Sequence, residues 1–358
     1  MEIAPKWKTI LPVSSPKGLR ILLLLVLCLC LLPLNGCQAK EPITRTSFHL
    51  NTAVTITIYD SQDTNLLDEC MRLCEAYEDI FSRTGEESQL TQLNIQAALP
   101  ENVGQPLPLS QDLASLTETG LYYSQLSQGA FDLTIAPLSS LWDFTAEEPS
   151  VPDEAVLKSA LPLVDYQQIS LSSSGSQSYI TFSKPGMGLD LGAIAKGYIA
   201  DRLKDYLLSQ GVKSALINLG GNILCVGEKP DGSPFTVGIQ RPFANQNETI
   251  ATLDIRDLSV VSSGVYERCF WQEGTFYHHL LDPKTGYPYH SRLVSVTIIS
   301  ENSVDGDGLS TACFALGLEE GLALLNNLEG VHGIFITEDS QIYYTEGFSE
   351  AFPIKETP

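Results

Sequence analysis

Apolar and polar positions alternate with a period of two along Ala53–Tyr59, where Val54, Ile56 and Ile58 are spaced by threonines, and this predicts a strand. Over Leu66–Phe81 the period lengthens to that of an amphipathic helix. A second short helix is expected around Gln89–Leu93, and a loop at Asn102–Leu109. Ser110 stands as an N-cap before a helical pattern that runs to about Leu126. Ala146–Pro152 is an acidic, proline-containing loop, followed by a short helix at Asp153–Ala160. Ile169–Leu171 and Tyr179–Phe182 read as a hairpin around the serine-rich Ser172–Ser178.

Past Gly197, Tyr198, Ile199, Leu203 and Leu207 recur at helical spacing, with charged residues on the other face. Strands are then expected at Ser214–Asn218, Phe235–Gln240, Thr249–Ile255, Ser259–Ser262, Thr275–Leu281 and Leu293–Ile299. Gly308–Leu316 and Glu319–Leu325 read as helices, and Ile334–Thr337 with Ile342–Thr345 as a closing hairpin. Strands come in runs rather than in strict alternation with helices, which predicts an α+β fold. No internal repeat is visible.

The first residues follow a different pattern. Lys6, Lys8, Lys17 and Arg20 precede the apolar stretch Ile21–Leu34, which is short of the roughly 20 residues a spanning helix needs. A basic segment followed by a short apolar one is the pattern of an export signal. Leu34-Asn35-Gly36-Cys37 resembles a bacterial lipobox, which implies cleavage before Cys37 and lipid on its thiol. The expected organisation is a signal peptide over 1–36, a lipidated cysteine and tether over 37–45, and a catalytic domain over 46–358. The protein is then anchored by lipid at the outer face of the cell membrane.

Charge and cysteine content narrow the chemistry. The formal net charge is −22, which argues against nucleic acid and anionic lipid as general partners. Cys70, Cys74, Cys225, Cys269 and Cys313 remain after Cys37. They form no CxxC pair and no Cys/His cluster, so zinc is not expected and buried thiols are.

Five polar stretches in apolar or glycine-rich settings are candidates for a site. Asp190-Leu-Gly-Ala-Ile-Ala-Lys-Gly197 joins a carboxylate, a turn of small residues and Lys196 to a helix start, a place suited to an anion. Gly129-Ala130-Phe131-Asp132 puts an aromatic and an acid on a turn. Asn218-Leu-Gly-Gly-Asn222 ends a strand in two glycines. His279 stands three residues before the Asp282-Pro283 turn. Asp307 and Thr311 are four apart at the start of a helix, on one face, and their oxygens suit a hard cation that also binds phosphates. Taken singly, each is equally an ordinary turn, a helix cap or a packed core position.

Together these stretches resemble the FAD:protein FMN transferase, or ApbE, family. The motifs are Gly129-Ala-Phe-Asp132 with Pro137-Leu138 and Trp142; Asp190 to Gly197 with Asp201; Asn218-Leu-Gly-Gly221; Ser262-Ser-Gly264; His279-Leu-Leu-Asp-Pro283 with Thr285-Gly286; and Asp307-Gly-Leu-Ser-Thr311. They occur in the family's order over roughly residues 46–346. The resemblance implies a two-lobed α+β fold with mixed, largely antiparallel sheets, flanking helices and an active site in the cleft between lobes. It implies that FMN passes from FAD to a Ser or Thr of an exported acceptor flavoprotein and that AMP leaves. Flavin subunits of Rnf-type or sodium-pumping NADH:quinone reductase (Nqr-type) complexes, or flavoproteins of extracellular electron transfer, are the implied acceptors.

By the same resemblance, Mg2+ is held by Asp307, Thr311 and the backbone oxygen of Ala193. FAD contacts fall on Ala130, Phe131, Asp132, Asp190, Lys196 and Leu281. His279 is placed as the base, with Asp307 and Lys196 as its catalytic partners. The chain departs from the family pattern at Leu50-Asn51-Thr52, where Met-Gly-Thr is frequent, and at Ser262-Ser263-Gly264, where Thr-Ser-Gly is usual. A Mg-dependent FAD pyrophosphatase using water as acceptor, and a lipoprotein that only carries FAD, are alternative readings of the same residues.

Overall fold

A computed structural model describes residues 41–244, 248–353 and 355–356. The expected signal peptide, Cys37 and the first part of the expected tether lie outside the described residues. The tether as expected ends too late, because strand β1 (Ile43–His49) already pairs with β2 (Thr52–Ile58). Residues 43–45 are therefore part of the fold.

The chain continues through α1 (Thr64–Phe81), α2 (Gln89–Ala98), β3 (Leu107–Leu109), α3 (Gln111–Leu126), α4 (Ala136–Trp142) and α5 (Glu154–Ala160). Next come β4 (Ile169–Ser174), β5 (Gln177–Phe182), α6 (Ala195–Ser209), β6 (Ser214–Leu219), β7 (Asn222–Gly227), β8 (Phe235–Gln240) and β9 (Thr249–Ile255). The last part holds β10 (Ser259–Gly264), β11 (Cys269–Gln272), β12 (Thr275–His278), β13 (Leu293–Ser300), α7 (Ser303–Leu316), α8 (Leu318–Leu325), β14 (His332–Thr337), β15 (Ile342–Tyr344), α9 (Phe348–Ala351) and β16 (Lys355–Glu356).

An eight-stranded sheet in the order β1-β2-β6-β7-β10-β13-β14-β15 organises the molecule, with every neighbouring pair antiparallel. In β2 only alternate residues are buried, as its sequence period requires. In β13 every residue is buried, as its continuous apolar run requires of a strand covered on both faces. The fold is α+β, and two hydrophobic cores lie within residues 42–358. The larger joins the main sheet to helices α1, α3, α6 and α7. The smaller gathers Leu138, Trp142, Leu157 and Leu281, with Phe144, Phe270, Tyr277 and Tyr287 packed on it. Trp142 anchors it, stacked on Phe144 and donating its indole N–H to Gly286 O at 2.7 Å.

Several elements differ from expectation for local reasons. The two residues between β6 and β7, Gly220 and Gly221, have φ of 62° and 91°. They make a tight hairpin turn of the kind that positive-φ residues permit, so the chain returns as strand Asn222–Gly227, for which no element was expected. The β1–β2 turn uses Leu50 and Asn51 at φ 54° and 57°, and without glycine it carries no turn signature. The expected strand Thr275–Leu281 ends at His278. Helix α7 starts at Ser303, so Asp307 lies in its second turn rather than at its start. The glycines that disguise this turn are there for packing: a Cβ on Gly306 would meet Val261 Cγ2 at 2.6 Å, and one on Gly308 would run into the Tyr123 ring.

Helices α6 and α7 meet closely enough that a Cβ on Gly197 would collide with the Ser303 backbone. Asp201 of α6 caps α7 across this contact, accepting from Ser303 N at 2.7 Å and Val304 N at 2.9 Å. These are two of the N–H groups a helix start leaves without partners. Gly197→Ala is expected to destabilise the protein by about 1–3 kcal/mol, the range for overpacking against backbone that cannot move aside. Urea unfolding of the two proteins measures it. Cys70, Cys74, Cys225 and Cys313 are buried and Cys269 is exposed, all as free thiols. Burial pushes the four buried thiols up to about 12, which keeps them inert.

Candidate active site

A cleft of about 1200 Å³ runs between the main sheet with its helices and the smaller aromatic core. Every residue singled out from the sequence as catalytic, flavin-binding or metal-binding lines it. They arrive from three directions.

The α6–α7 contact supplies the first wall. Asp307 is buried, and its Oδ2 accepts from Gly197 N at 2.6 Å while its Oδ1 accepts from Asn222 Nδ2 at 3.1 Å. Ser303 Oγ donates to Asn222 Oδ1 at 2.7 Å, which fixes the amide so that its NH2 faces Asp307. The Gly197 N–H is therefore given to a carboxylate of the protein and is not free for an anion. Burial raises the Asp307 pKa, against the pull of Lys196 and of these two donors.

One turn on, Ser310 Oγ donates to Asp307 O at 3.0 Å and pairs with Ser263 Oγ at 2.8 Å. With the Ser310 proton committed, Ser263 donates to Ser310, and Thr311 Oγ1, 3.3 Å from Ser263 Oγ, directs its proton to Ser263. The Thr311 lone pairs are thereby left for another partner. Asp307, Thr311 and Ala193 line the same cleft, and a carboxylate, a hydroxyl and a main-chain carbonyl are the all-oxygen donor types that suit magnesium. Among the described residues no group of three or more His, Cys, Asp or Glu gathers as a metal cage.

The opposite wall carries His279, in the stretch that leaves β12. Its backbone N donates to Arg268 O at 3.1 Å, and its ring Nδ1 lies 3.3 Å from the same carbonyl. A carbonyl only accepts, so Nδ1 bears the proton and Nε2 is the free acceptor. Although half-open to the cleft, the ring is packed about by protein. That desolvation, with the positive charge of Arg268 next in weight, pushes its pKa down to about 3. Lys196 adds to this depression and also acts on Asp307 and Glu267, so it sits electrostatically at the centre of the cleft.

The third direction is the turn after α3. Phe131 N donates to Ser127 Oγ at 2.9 Å, and Ala130 O accepts from Tyr289 OH at 2.8 Å. Asp132 accepts from Thr134 N, Thr134 Oγ1 and Tyr166 N at 2.8, 2.6 and 2.9 Å. Two of these donors fall on Oδ1 and one on Oδ2, so Asp132 braces the turn and keeps a lone pair on Oδ2. Asp190 is held by Arg83 Nε at 3.0 Å, Ser139 Oγ at 2.7 Å and Gly192 N at 3.0 Å. Leu281 bridges to Pro288 and closes the cleft floor from the small core.

Sequence reasoning passed over Arg83, Glu267, Arg268 and Phe243, all of which line the cleft. Glu267 and Arg268 stand three and four residues after Gly264 of the Ser262-Ser-Gly264 motif, a signal that was available. Arg83 and Phe243 belong to no motif.

The family model described as the ApbE family matches residues 50–335. An FAD:protein FMN transferase of Klebsiella pneumoniae is 40% identical over 293 residues, 82% of this chain and 88% of that one. Another from Treponema pallidum is 34% identical over 339 residues, 90% of this chain and 92% of that one. Among solved structures, the flavin transferase ApbE of Vibrio cholerae superposes with a TM-score of 0.76 at 27% identity, covering 87% of this chain and 99% of its own. The ApbE protein of Thermotoga maritima gives 0.77 at 28% identity, with the same coverage.

Proposed function

The chain belongs to the ApbE family, and on that premise we propose that its cleft transfers FMN from FAD to a Ser or Thr hydroxyl of an exported acceptor flavoprotein, with magnesium bound and AMP released. That it is an FAD:protein FMN transferase rests on its similarity to relatives of that name along most of both chains. The observation that carries the finer reading is the pairing across one cleft of a neutral histidine with a free Nε2 and an all-oxygen donor set at Asp307 and Thr311.

In this reading the acceptor hydroxyl oxygen attacks the phosphorus on the FMN side of the pyrophosphate. The bond to the AMP oxygen breaks, and the hydroxyl proton passes to His279 Nε2. Lys196 sets a positive charge beside the phosphates. Asp307, Thr311 and the Ala193 carbonyl would hold magnesium, which would offset charge on the phosphate oxygens. The Arg83–Asp190–Ser139 group fixes the turn opposite α4, and the main-chain groups of Ala130 and Phe131 are held at the cleft by Tyr289 and Ser127. The test is to incubate the protein with FAD, Mg2+ and the flavin subunit of an Rnf-type or Nqr-type complex. The acceptor should gain the mass of an FMN phosphoester. Release of FMN and AMP with no gain in acceptor mass favours the pyrophosphatase reading.

Placement at the outer face of the membrane is part of the same proposal. No helix among the described residues is long and apolar enough to cross a membrane. Attachment then rests on lipid at Cys37, where acyl chains supply the apolar area that holds the protein. Cys37→Ala should move the protein from the membrane to the soluble fraction on cell fractionation. An unchanged distribution would count against the lipobox.

A further inference from the structure

Strands β11 and β12 form a hairpin of two strands with aromatic residues on both faces. Phe270 and Tyr277 pair across it, stack at 5.4 Å and pack on Trp142 in the smaller core. On the other face Trp271 pairs with Phe276, their rings 5.2 Å apart, and Trp271 is 70% exposed. Phe276 also packs against the larger core, whereas the Trp271 ring stands largely in solvent. Phe243 extends it, with its ring 5.9 Å from Phe276 and 5.8 Å from Tyr266, and is 61% exposed. Phe243 also holds φ 59°, a left-handed conformation rarely adopted by a bulky residue and one found where a ligand is clamped.

This ridge is continuous with the cleft. Phe243 and Tyr266 line both, and the chain that carries Phe276 reaches His279 three residues later. Neither outer edge of the hairpin joins another strand among the described residues. Exposed edges of this kind take up an extended peptide by main-chain pairing, with side-chain pockets giving selection.

We propose that the Trp271–Phe276–Phe243 ridge docks the segment of the acceptor protein that carries the hydroxyl to be modified. The segment lies extended along the hairpin, with an apolar side chain near the modified Ser or Thr seated on Trp271. This inference rests on the transferase reading. A Ser or Thr side chain is short, so its backbone must come over the rim to bring the hydroxyl to His279. The ridge forms that rim on the His279 side. A membrane is the weaker candidate for the patch, since a net charge of −22 repels an anionic surface.

The test compares the full chain with Trp271→Ser and Trp271→Phe, using FAD, Mg2+ and the purified flavin subunit of an Rnf-type complex. For Trp271→Ser, KM for the acceptor should rise about tenfold or more, as for an exposed tryptophan at the centre of an interface. FAD affinity and melting temperature should stay unchanged, and Trp271→Phe should recover most of the loss. An unchanged acceptor KM overturns the inference. So does a loss confined to binding of vesicles containing anionic lipid, or a change confined to oligomeric state. If the unaltered chain transfers nothing to this acceptor, the transferase reading falls and takes the ridge with it. Transfer with an unaltered KM removes the ridge alone.

Discussion

His279→Ala is expected to lower FMN transfer by about 10²–10⁴-fold, the usual contribution of a positioned base, while FAD still binds. The ring is fixed at its Nδ1 by the Arg268 carbonyl, so its free Nε2 is aimed by main chain and not by a mobile side chain. Its loss removes proton acceptance from the attacking hydroxyl without emptying the cation site across the cleft. If the residue serves only as packing, alanine lowers the melting temperature with and without FAD alike and spares the rate per folded molecule. Melting curves and single-turnover transfer, measured on the same samples, separate the two. Transfer at the native rate would sink the assignment.

The pH dependence follows from the same surroundings. Burial, Arg268 and Lys196 hold the free-protein pKa at about 3, far below the ordinary 6.5 of histidine. The ring is therefore neutral from neutral pH down to about that value, and kcat/KM should show no acid limb near pH 6.5 that belongs to His279. For stability the sign is set by proton uptake. The unfolded chain binds a proton at this histidine below 6.5 and the folded chain does not, so this group lowers stability as pH falls through 6.5. A base this weak would be slow if nothing changed on binding. FAD brings phosphate charge into the cleft, which favours the imidazolium and raises the pKa toward the working range. NMR titration of His279 should show that upward shift on adding FAD. An ordinary pKa in the free protein would show the ring to be more open to water than its packing implies.

What the sequence made legible is what short-range pattern controls. Strand β13 is a continuous apolar run and α1 an amphipathic one, and each falls within two residues of its expected bounds. The Ser110 cap is found where expected, accepting from Leu113 N at 3.4 Å. Strand β7 is hidden because Gly220-Gly221 reads as the end of a strand when it is the turn of a hairpin. The first turn of α7 was hidden because Gly306 and Gly308 look like loop and are in fact packing surfaces for Val261 and Tyr123. The site residues were legible as motifs, but their relations were not. That Asp307 binds the Gly197 amide, and that Arg83 holds Asp190, are long-range facts with no local spacing to betray them. Asp132 is a further case: its ties to Thr134 and Tyr166 brace the motif turn, and the Tyr166 contact has no local spacing to announce it.

Asp307→Ala is expected to reduce transfer by about 10³-fold or more, from the several kcal/mol that a bound cation contributes to charge stabilisation. FAD binding should lose its dependence on Mg2+. The substitution alone is ambiguous, because Asp307 also ties α6 to β7. Without it the Gly197 N–H and the Asn222 amide lose their acceptor, at roughly 1–3 kcal/mol for each buried group left unsatisfied. Asp307→Asn does not resolve the matter either. Its amide can spare an oxygen for Gly197 but then points an NH2 at the NH2 of Asn222, which Ser303 holds in place. The exchange Asp307→Asn with Asn222→Asp does resolve it. An asparagine at 307 donates to a carboxylate at 222, which still accepts from Ser303 Oγ, so the hydrogen bonds are conserved. The charge, however, moves one residue back from the cleft, to a side chain that does not line it. The double variant should regain the melting temperature lost by Asp307→Asn and should remain inactive, with FAD affinity indifferent to Mg2+. If transfer returns together with stability, the carboxylate at 307 is a structural tie and the cation is held elsewhere.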